Sequence, residues 1–208
     1  EYNGKKAGSI GDYGCFSFYA TKNITTGEGG MVTTNRRDNA EILGAIRCHG
    51  IGKHRSSERL GHNYRLSEIS CALGYYQVQK LPRIIEARRK NANILTSMLE
   101  DMGRLELPRE PQNIKHAWNL YTVRLKGCRA GERNRVVSKL TDSSIQAEVY
   151  YEVPIHLTPY YRRRFGFFPR SLPKTEAAAR QVFSLPSHPS IEEDDIKNIV
   201  QKVKKIVK

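Results

Sequence analysis

Between Cys15 and Tyr19 the side chains alternate, with Cys15, Ser17 and Tyr19 on one face of an extended segment and Phe16 and Phe18 on the other. Residues 10–19 therefore read as a turn followed by a strand. The polar run Ala20, Thr21, Lys22 and Asn23 ends it, and residues 30–34 form a second short strand beyond a glycine-rich turn. The period then becomes helical. Over residues 35–48, Ile42, Leu43 and Ile46 share a face, Asn35 is placed to cap the start, and Gly50 fits the stop. Residues 51–64 are polar and basic, and predict a long irregular loop of the kind compact domains reserve for function.

A second amphipathic helix is expected over 67–81, with Ile69, Ala72, Leu73 and Tyr76 at helical spacing. Pro82 breaks it or opens a new helix, which runs to about Met102 with Ile84, Leu95, Met98, Leu99 and Met102 inward. Pro108 and Pro111 mark a turn or linker. Beyond it, strands at 120–125 and 145–151 mix with helices at 131–140 and 173–183. The last helix is the clearest. Ser190 and Glu193 have capping-box spacing, and Ile196, Ile199, Val200, Val203, Ile206 and Val207 form one stripe. No repeat or low-complexity tract interrupts the chain.

A chain of 208 residues can bury a core in one or two domains. No apolar run approaches the length of a membrane span. The chain opens on Glu1 rather than methionine, so targeting information is expected to lie upstream if it exists. Cys15, Cys48, Cys71 and Cys128 are scattered without CxxC or zinc spacing. They read as reduced, mostly buried thiols of a cytoplasmic protein, and no metal site is expected.

The net charge of +14 has two readings. One is attraction to a polyanion, whether nucleic acid, a membrane surface or a phosphorylated substrate. The other is solvated helix faces, which suits Lys202, Lys204, Lys205 and Lys208. Arg162, Arg163 and Arg164 stand among Tyr160, Tyr161, Phe165, Phe167 and Phe168. Aromatics between arginines can stack on bases, but a surface loop or subunit contact is the preferred reading. No helix-turn-helix, zinc-finger or RNA-recognition pattern accompanies them.

Lys22 is the main candidate for chemistry. It follows a strand end, where open α/β sheets place ligands, and precedes Gly27, Gly29 and Gly30, which permit a sharp turn or a close approach. Partial desolvation there would make its amine a nucleophile toward a carbonyl.

Taken in order, several motifs resemble one family. They are Gly11-Asp12, Phe16-Ser17-Phe18, Lys22-Asn23, Thr26-Gly27-Glu28-Gly29-Gly30, Arg47, His49-Gly50 and Gly61-His62-Asn63-Tyr64-Arg65. Leu81, His116-Ala117-Trp118, His156-Leu157, Pro159-Tyr160-Tyr161 and Ser184-Leu185-Pro186-Ser187-His188-Pro189 continue the series. Together they resemble the DegT/StrS-type sugar aminotransferases, which depend on pyridoxal 5'-phosphate.

The resemblance implies an α/β fold, namely the C-terminal portion of a fold-type I pyridoxal-phosphate-dependent transferase. Residues 1–66 would end the large mixed-sheet domain, 67–103 would be linking helices, and 104–208 a small α+β domain. An N-terminal part of the large domain would precede Glu1. It would carry the first glycine-bearing phosphate loop, the aromatic stacked on the cofactor ring, and the aspartate paired with the ring nitrogen.

Lys22 matches the family's Schiff-base lysine and proton shuttle; the alternative is an exposed surface lysine. Ser17 matches a phosphate-binding serine, against a hydroxyl bonded within the sheet. Asn63 and Arg65 match a loop that reaches the cofactor phosphate of a neighbouring subunit, which implies a homodimer with shared sites; loop capping and a surface ion pair are the alternatives. His188 matches a histidine near the sugar, with His156 and Tyr160 at the same entrance, though a histidine between prolines is often structural. Trp118 is expected in the small-domain core, and Gly27 to act through its backbone alone.

The implied function is amino transfer from an amino acid such as glutamate to a nucleotide-linked keto-sugar, in amino-sugar or polysaccharide biosynthesis. The rival readings are a basic nucleic-acid-binding or regulatory protein and an inactive fragment.

Overall fold

The computed structural model describes residues 1–52, 54–129 and 131–207; Lys208, one of the C-terminal lysines, lies outside them. The chain forms two compact units, one of residues 1–85 with 110–116, the other of residues 86–109 with those from 117 onward.

In the first unit, β1 (Gly14–Ser17) pairs antiparallel with β2 (Gly30–Thr33), with Gly14 opposite Thr33 and Ser17 opposite Gly30. Helix α1 (Arg37–Arg47) follows. Its N-cap is Arg36 and no side chain caps it; Asn35 instead donates from its amide to the Ser9 carbonyl at 2.9 Å. The face carrying Ile42, Leu43 and Ile46 contains no fully buried residue. Of the expected loop 51–64, Lys53 lies outside the described residues, and the rest is irregular apart from isolated bridges.

Helix α2 (Glu68–Leu99) is a single element that continues through Pro82, so the expected break does not occur. Pro82 is exposed and Val78 is half exposed. Water can therefore satisfy the Val78 carbonyl that a proline four residues on cannot reach, and the missing bond stays local.

In the second unit, β3 (Leu105–Glu106), β4 (Tyr121–Leu125) and β5 (Val182–Leu185) form an antiparallel sheet in that order. Tyr121, Val123 and Leu125 point inward and are fully buried, while Thr122 and Arg124 between them are half exposed. Helices α3 (Glu132–Asp142), α4 (Pro159–Phe165), α5 (Pro173–Gln181) and α6 (Glu193–Ile206) accompany the sheet. Leu95 and Leu99 of α2, Leu140 of α3, and Ile196, Ile199, Val200 and Val203 of α6 complete its core, with Trp118 inside it.

Four expectations change in this unit. The helix expected to reach residue 183 stops at Gln181, because Val182–Leu185 pairs with β4. Residues 145–151 form no strand; Glu148 makes one bridge to Ser184, donating at 3.1 Å and accepting at 2.7 Å. Arg162, Arg163 and Arg164 lie on α4 rather than in a loop: Pro159 occupies the first turn and Gly166, at φ 71°, ends the helix. The capping box of α6 is Glu192 with Asp195, not Ser190 with Glu193.

All four cysteines are free. Cys15 and Cys71 are exposed and Cys48 and Cys128 partly so, against the expected burial. Cys15 sits on a two-stranded ribbon, which has fewer neighbours than a full sheet to cover its faces. Among the described residues, no helix is long and apolar enough to cross a membrane.

Candidate functional site

The ladder between β1 and β2 extends past Ser17 into a closed neck. Phe18 N–H donates to the Gly29 carbonyl at 2.9 Å, and the Phe18 carbonyl accepts from Thr26 N–H and Thr25 Oγ1, each at 3.0 Å. Residues 19–25 project beyond this neck. Lys22 N–H donates to the Tyr19 carbonyl at 3.0 Å, which tightens the loop into a turn. Tyr19 N–H donates to Ser17 Oγ at 3.3 Å. Ser17 and Lys22 are thereby tied to one turn. Because Ser17 Oγ accepts from the backbone, its own O–H remains to donate elsewhere.

The base of the loop is braced. Thr26 is buried and donates from Oγ1 to the Glu28 carbonyl at 2.7 Å. A Cβ on Gly74 of α2 would lie 3.0 Å from the Thr26 methyl, so α2 packs closely on this threonine. A Cβ on Gly29 would meet Thr26 Oγ1 at 2.5 Å. Gly27 has φ +80° and open space around it, so its conformation is what requires glycine. Lys22 itself is exposed; the described residues do not supply the desolvation expected of it.

Asn63 and Arg65 sit on a segment fastened to the end of α1. His62 N–H donates to the Ile46 carbonyl at 2.7 Å, His49 N–H to the His62 carbonyl at 2.9 Å, and Tyr64 N–H to the Arg47 carbonyl at 2.9 Å. Gly50 and Gly61 meet backbone to backbone, and a Cβ on Gly61 would collide with Gly50 N. Arg65 Nε donates to Asn63 Oδ1 at 2.9 Å. Both side chains are exposed, and this bond leaves the Asn63 amide and the far end of the guanidinium to donate outward. His62 and Tyr64 stack with centroids 4.6 Å apart.

The other three candidates lie in the second unit. His156 is buried, with Nε2 3.3 Å from Glu176 Oε1 and its ring edge-on to Phe167. Glu176 also accepts from Arg170 N–H at 2.8 and 3.0 Å and from Leu172 N–H at 3.3 Å. The Arg170 N–H foremost, and then His156, hold its carboxyl below the usual carboxylate range. Tyr160 is exposed on α4, edge-on to Tyr161.

His188 is exposed and lines a depression of about 150 Å³ with Arg88, Asn119, Glu148 and Tyr150; His156 and Tyr160 are outside that lining. Asn91 Nδ2 fixes the His188 backbone by donating to its carbonyl at 2.9 Å. Arg88, on the inner face of α2, donates to the Trp118 and Asn119 carbonyls at 3.2 Å, and burial pushes its guanidinium below the ordinary value. Sequence reasoning passed over Arg88. Its signal was a charged residue in helical register with Asn91, Ala92, Leu95 and Leu99, the buried positions of α2.

A hydroxyl and an ammonium tied to one turn suit a ligand with a phosphate at one end and an aldehyde at the other, as pyridoxal phosphate has. The outward amide and guanidinium of Asn63 and Arg65 also suit a phosphate, so the donor types present fit that group. Among the described residues, no three His, Cys, Asp or Glu side chains gather as a metal site.

Residues 1–204 match the sequence profile of the DegT/DnrJ/EryC1/StrS aminotransferase family. The uncharacterized protein MJ1066 of Methanocaldococcus jannaschii is 38% identical over 100% of this chain and 57% of its own length. The GDP-perosamine synthase of Caulobacter vibrioides is 32% identical over 96% of this chain and 53% of its own. The crystal structure of S. venezuelae DesV in complex with a ketimine intermediate superposes with a TM-score of 0.91 at 31% identity, covering 100% of this chain and 54% of that one. The chain thus spans about half the length of the relatives it matches, and the fold class expected from the sequence agrees with theirs. By profile, sequence and fold, the chain belongs to the DegT/DnrJ/EryC1/StrS aminotransferase family.

Proposed function

We propose that this chain is the C-terminal portion of a pyridoxal-phosphate-dependent sugar aminotransferase that moves an amino group from an amino acid, glutamate in the simplest case, to a nucleotide-linked keto-sugar. The single observation that carries the reading is the turn that ties Ser17 to Lys22 at the end of the β1–β2 hairpin. Family membership and relatives such as the GDP-perosamine synthase support the substrate class. On this reading residues 1–66 end the large domain, 67–103 link, and 104–208 form the small domain.

When bound, the cofactor supplies an aldehyde that bonds reversibly to amines and a ring that accepts electrons from the adjacent carbon. Lys22 Nζ would be the amine that holds the aldehyde, and the same nitrogen, when free, would accept and return a proton. Ser17 donates its hydroxyl to the phosphate, and Asn63 and Arg65 grip the phosphate of a second copy's site, which makes the working unit a homodimer. His188 lines the sugar side and exposed Tyr160 would shape its approach, while His156, buried against Glu176, would hold its own segment in place. The exposure of Lys22 agrees with this division, since residues beyond this chain, from the N-terminal region and the second copy, would cover it. The setting is cytoplasmic and the product an amino sugar for surface polysaccharide or a related glycoside.

The test is the imine absorbance band of the full-length protein on adding pyridoxal phosphate, compared with Lys22→Ala. The band should form only with Lys22 present, and equal bands in the two proteins would refute the reading.

A further inference from the structure

In the second unit a cavity of about 540 Å³ opens between the start of β3 and the first turns of α3. Four cations line it, Arg104, Arg129, Arg135 and Lys139, against one carboxylate, Glu132. Both oxygens of that carboxylate are already used. Arg104 Nη2 lies 2.7 Å from Oε1, and Arg129 N–H donates to Oε2 at 3.0 Å. The Arg129 N–H first, then the Arg104 guanidinium, hold Glu132 below the usual carboxylate range, so it is ionised and committed.

Among the described residues, no carboxylate lies within ion-pair distance of the Arg129, Arg135 or Lys139 side chains. Arg135 and Lys139 are four apart on α3 and share a face. Like charges gathered around a concave surface repel, and the concavity focuses their field on whatever enters. Val136 and Ile206 add an apolar wall.

We infer that this cavity, lined by second-unit residues alone, is a binding site for a diphosphate group, and the inference is independent of the reading given to Lys22. Several features favour that ligand. Guanidinium forks match phosphate oxygens two at a time, and three cations with no carboxylate of the described residues within ion-pair distance suit a multiply charged anion better than a single carboxylate. A concave pocket admits a small anion but not a duplex. Inorganic pyrophosphate and a nucleoside diphosphate present the same group, and the apolar wall offers the second of them a place for its nucleoside.

The experiment is calorimetric titration of the full-length protein with inorganic pyrophosphate and, separately, with uridine diphosphate. Saturable binding is expected, weakened about tenfold or more by the pair Arg135→Glu and Lys139→Glu. Arg129→Glu, on the loop, should weaken it in the same sense. The pair Arg109→Glu and Lys174→Glu makes the same change in net charge at exposed positions away from the cavity and should leave affinity within about twofold. Tighter binding of uridine diphosphate would assign the nucleotide, and equal binding the phosphates alone. The inference is overturned by absence of saturable binding, by binding the cavity variants do not weaken, by equal weakening in both paired variants, or by duplex DNA binding where pyrophosphate does not.

Discussion

Arg65 Nε donates to Asn63 Oδ1 at 2.9 Å, so the guanidinium orients the amide that precedes it by two residues. Arg65 does two jobs with one planar fork, turning the amide N–H₂ outward and presenting its own terminal nitrogens alongside. A lysine offers its three N–H donors from one point and does not reproduce that planar fork.

Arg65→Lys should therefore lose more than one contact to a phosphate. The expected loss is about 1.5–3 kcal/mol, the range for a hydrogen bond to a charged group. Fluorescence titration of the full-length protein with pyridoxal phosphate measures it, and an unchanged Kd would remove Arg65 from the phosphate grip.

Two glycines of the first unit should respond in opposite directions. Gly61→Ala drives a methyl into Gly50 N and displaces the segment carrying Asn63, at a cost of about 2–3 kcal/mol. Gly44 lies inside α1 with nothing within 4 Å of an added Cβ, so Gly44→Ala should stabilise by about 0.5–1 kcal/mol. Chemical denaturation of each variant gives the comparison, and a neutral Gly61→Ala would contradict the close backbone approach.

Glu176 holds Arg170, Leu172 and His156 together and has a lowered folded-state pKa. Its charge therefore adds stability that is fully present above its ordinary value of 4.5 and is lost as pH falls through the folded value. The thermal midpoint of the wild type should exceed that of Glu176→Gln at neutral pH, and the gap should shrink as pH drops below about 4.5. A gap that stays constant into acid would mean the carboxylate charge is not what matters there.

Where side-chain pattern and neighbours agree, the sequence was readable. The stripe on α6 and the alternation of Tyr121, Val123 and Leu125 both describe faces that meet one core. It was unreadable where a distant partner decides. Val182–Leu185 continues a helical pattern until β4 claims it as a strand, and that pairing is set by residues some sixty positions away. Pro82 misled for a local reason, since it lies on an exposed stretch of α2 where water can replace the one bond it removes.

The candidate site divides similarly. The order of Ser17, Lys22 and the glycines was visible as a motif, and Tyr19, whose N–H donates to Ser17 and whose carbonyl accepts from Lys22 N–H, explains why the first two share a turn. The exposure of Lys22 was not visible, because cover depends on what packs over the turn rather than on the turn itself. Arg88 was hidden because a buried arginine bonded to carbonyls has no sequence signature beyond its helical register.

The central claim is that Lys22 Nζ, and no other amine, takes up the cofactor aldehyde. Borohydride reduction of the full-length protein loaded with pyridoxal phosphate, followed by peptide mapping, tests it directly. The account predicts a stable pyridoxyl tag on the peptide containing Lys22; a tag on another lysine, or none, would contradict it.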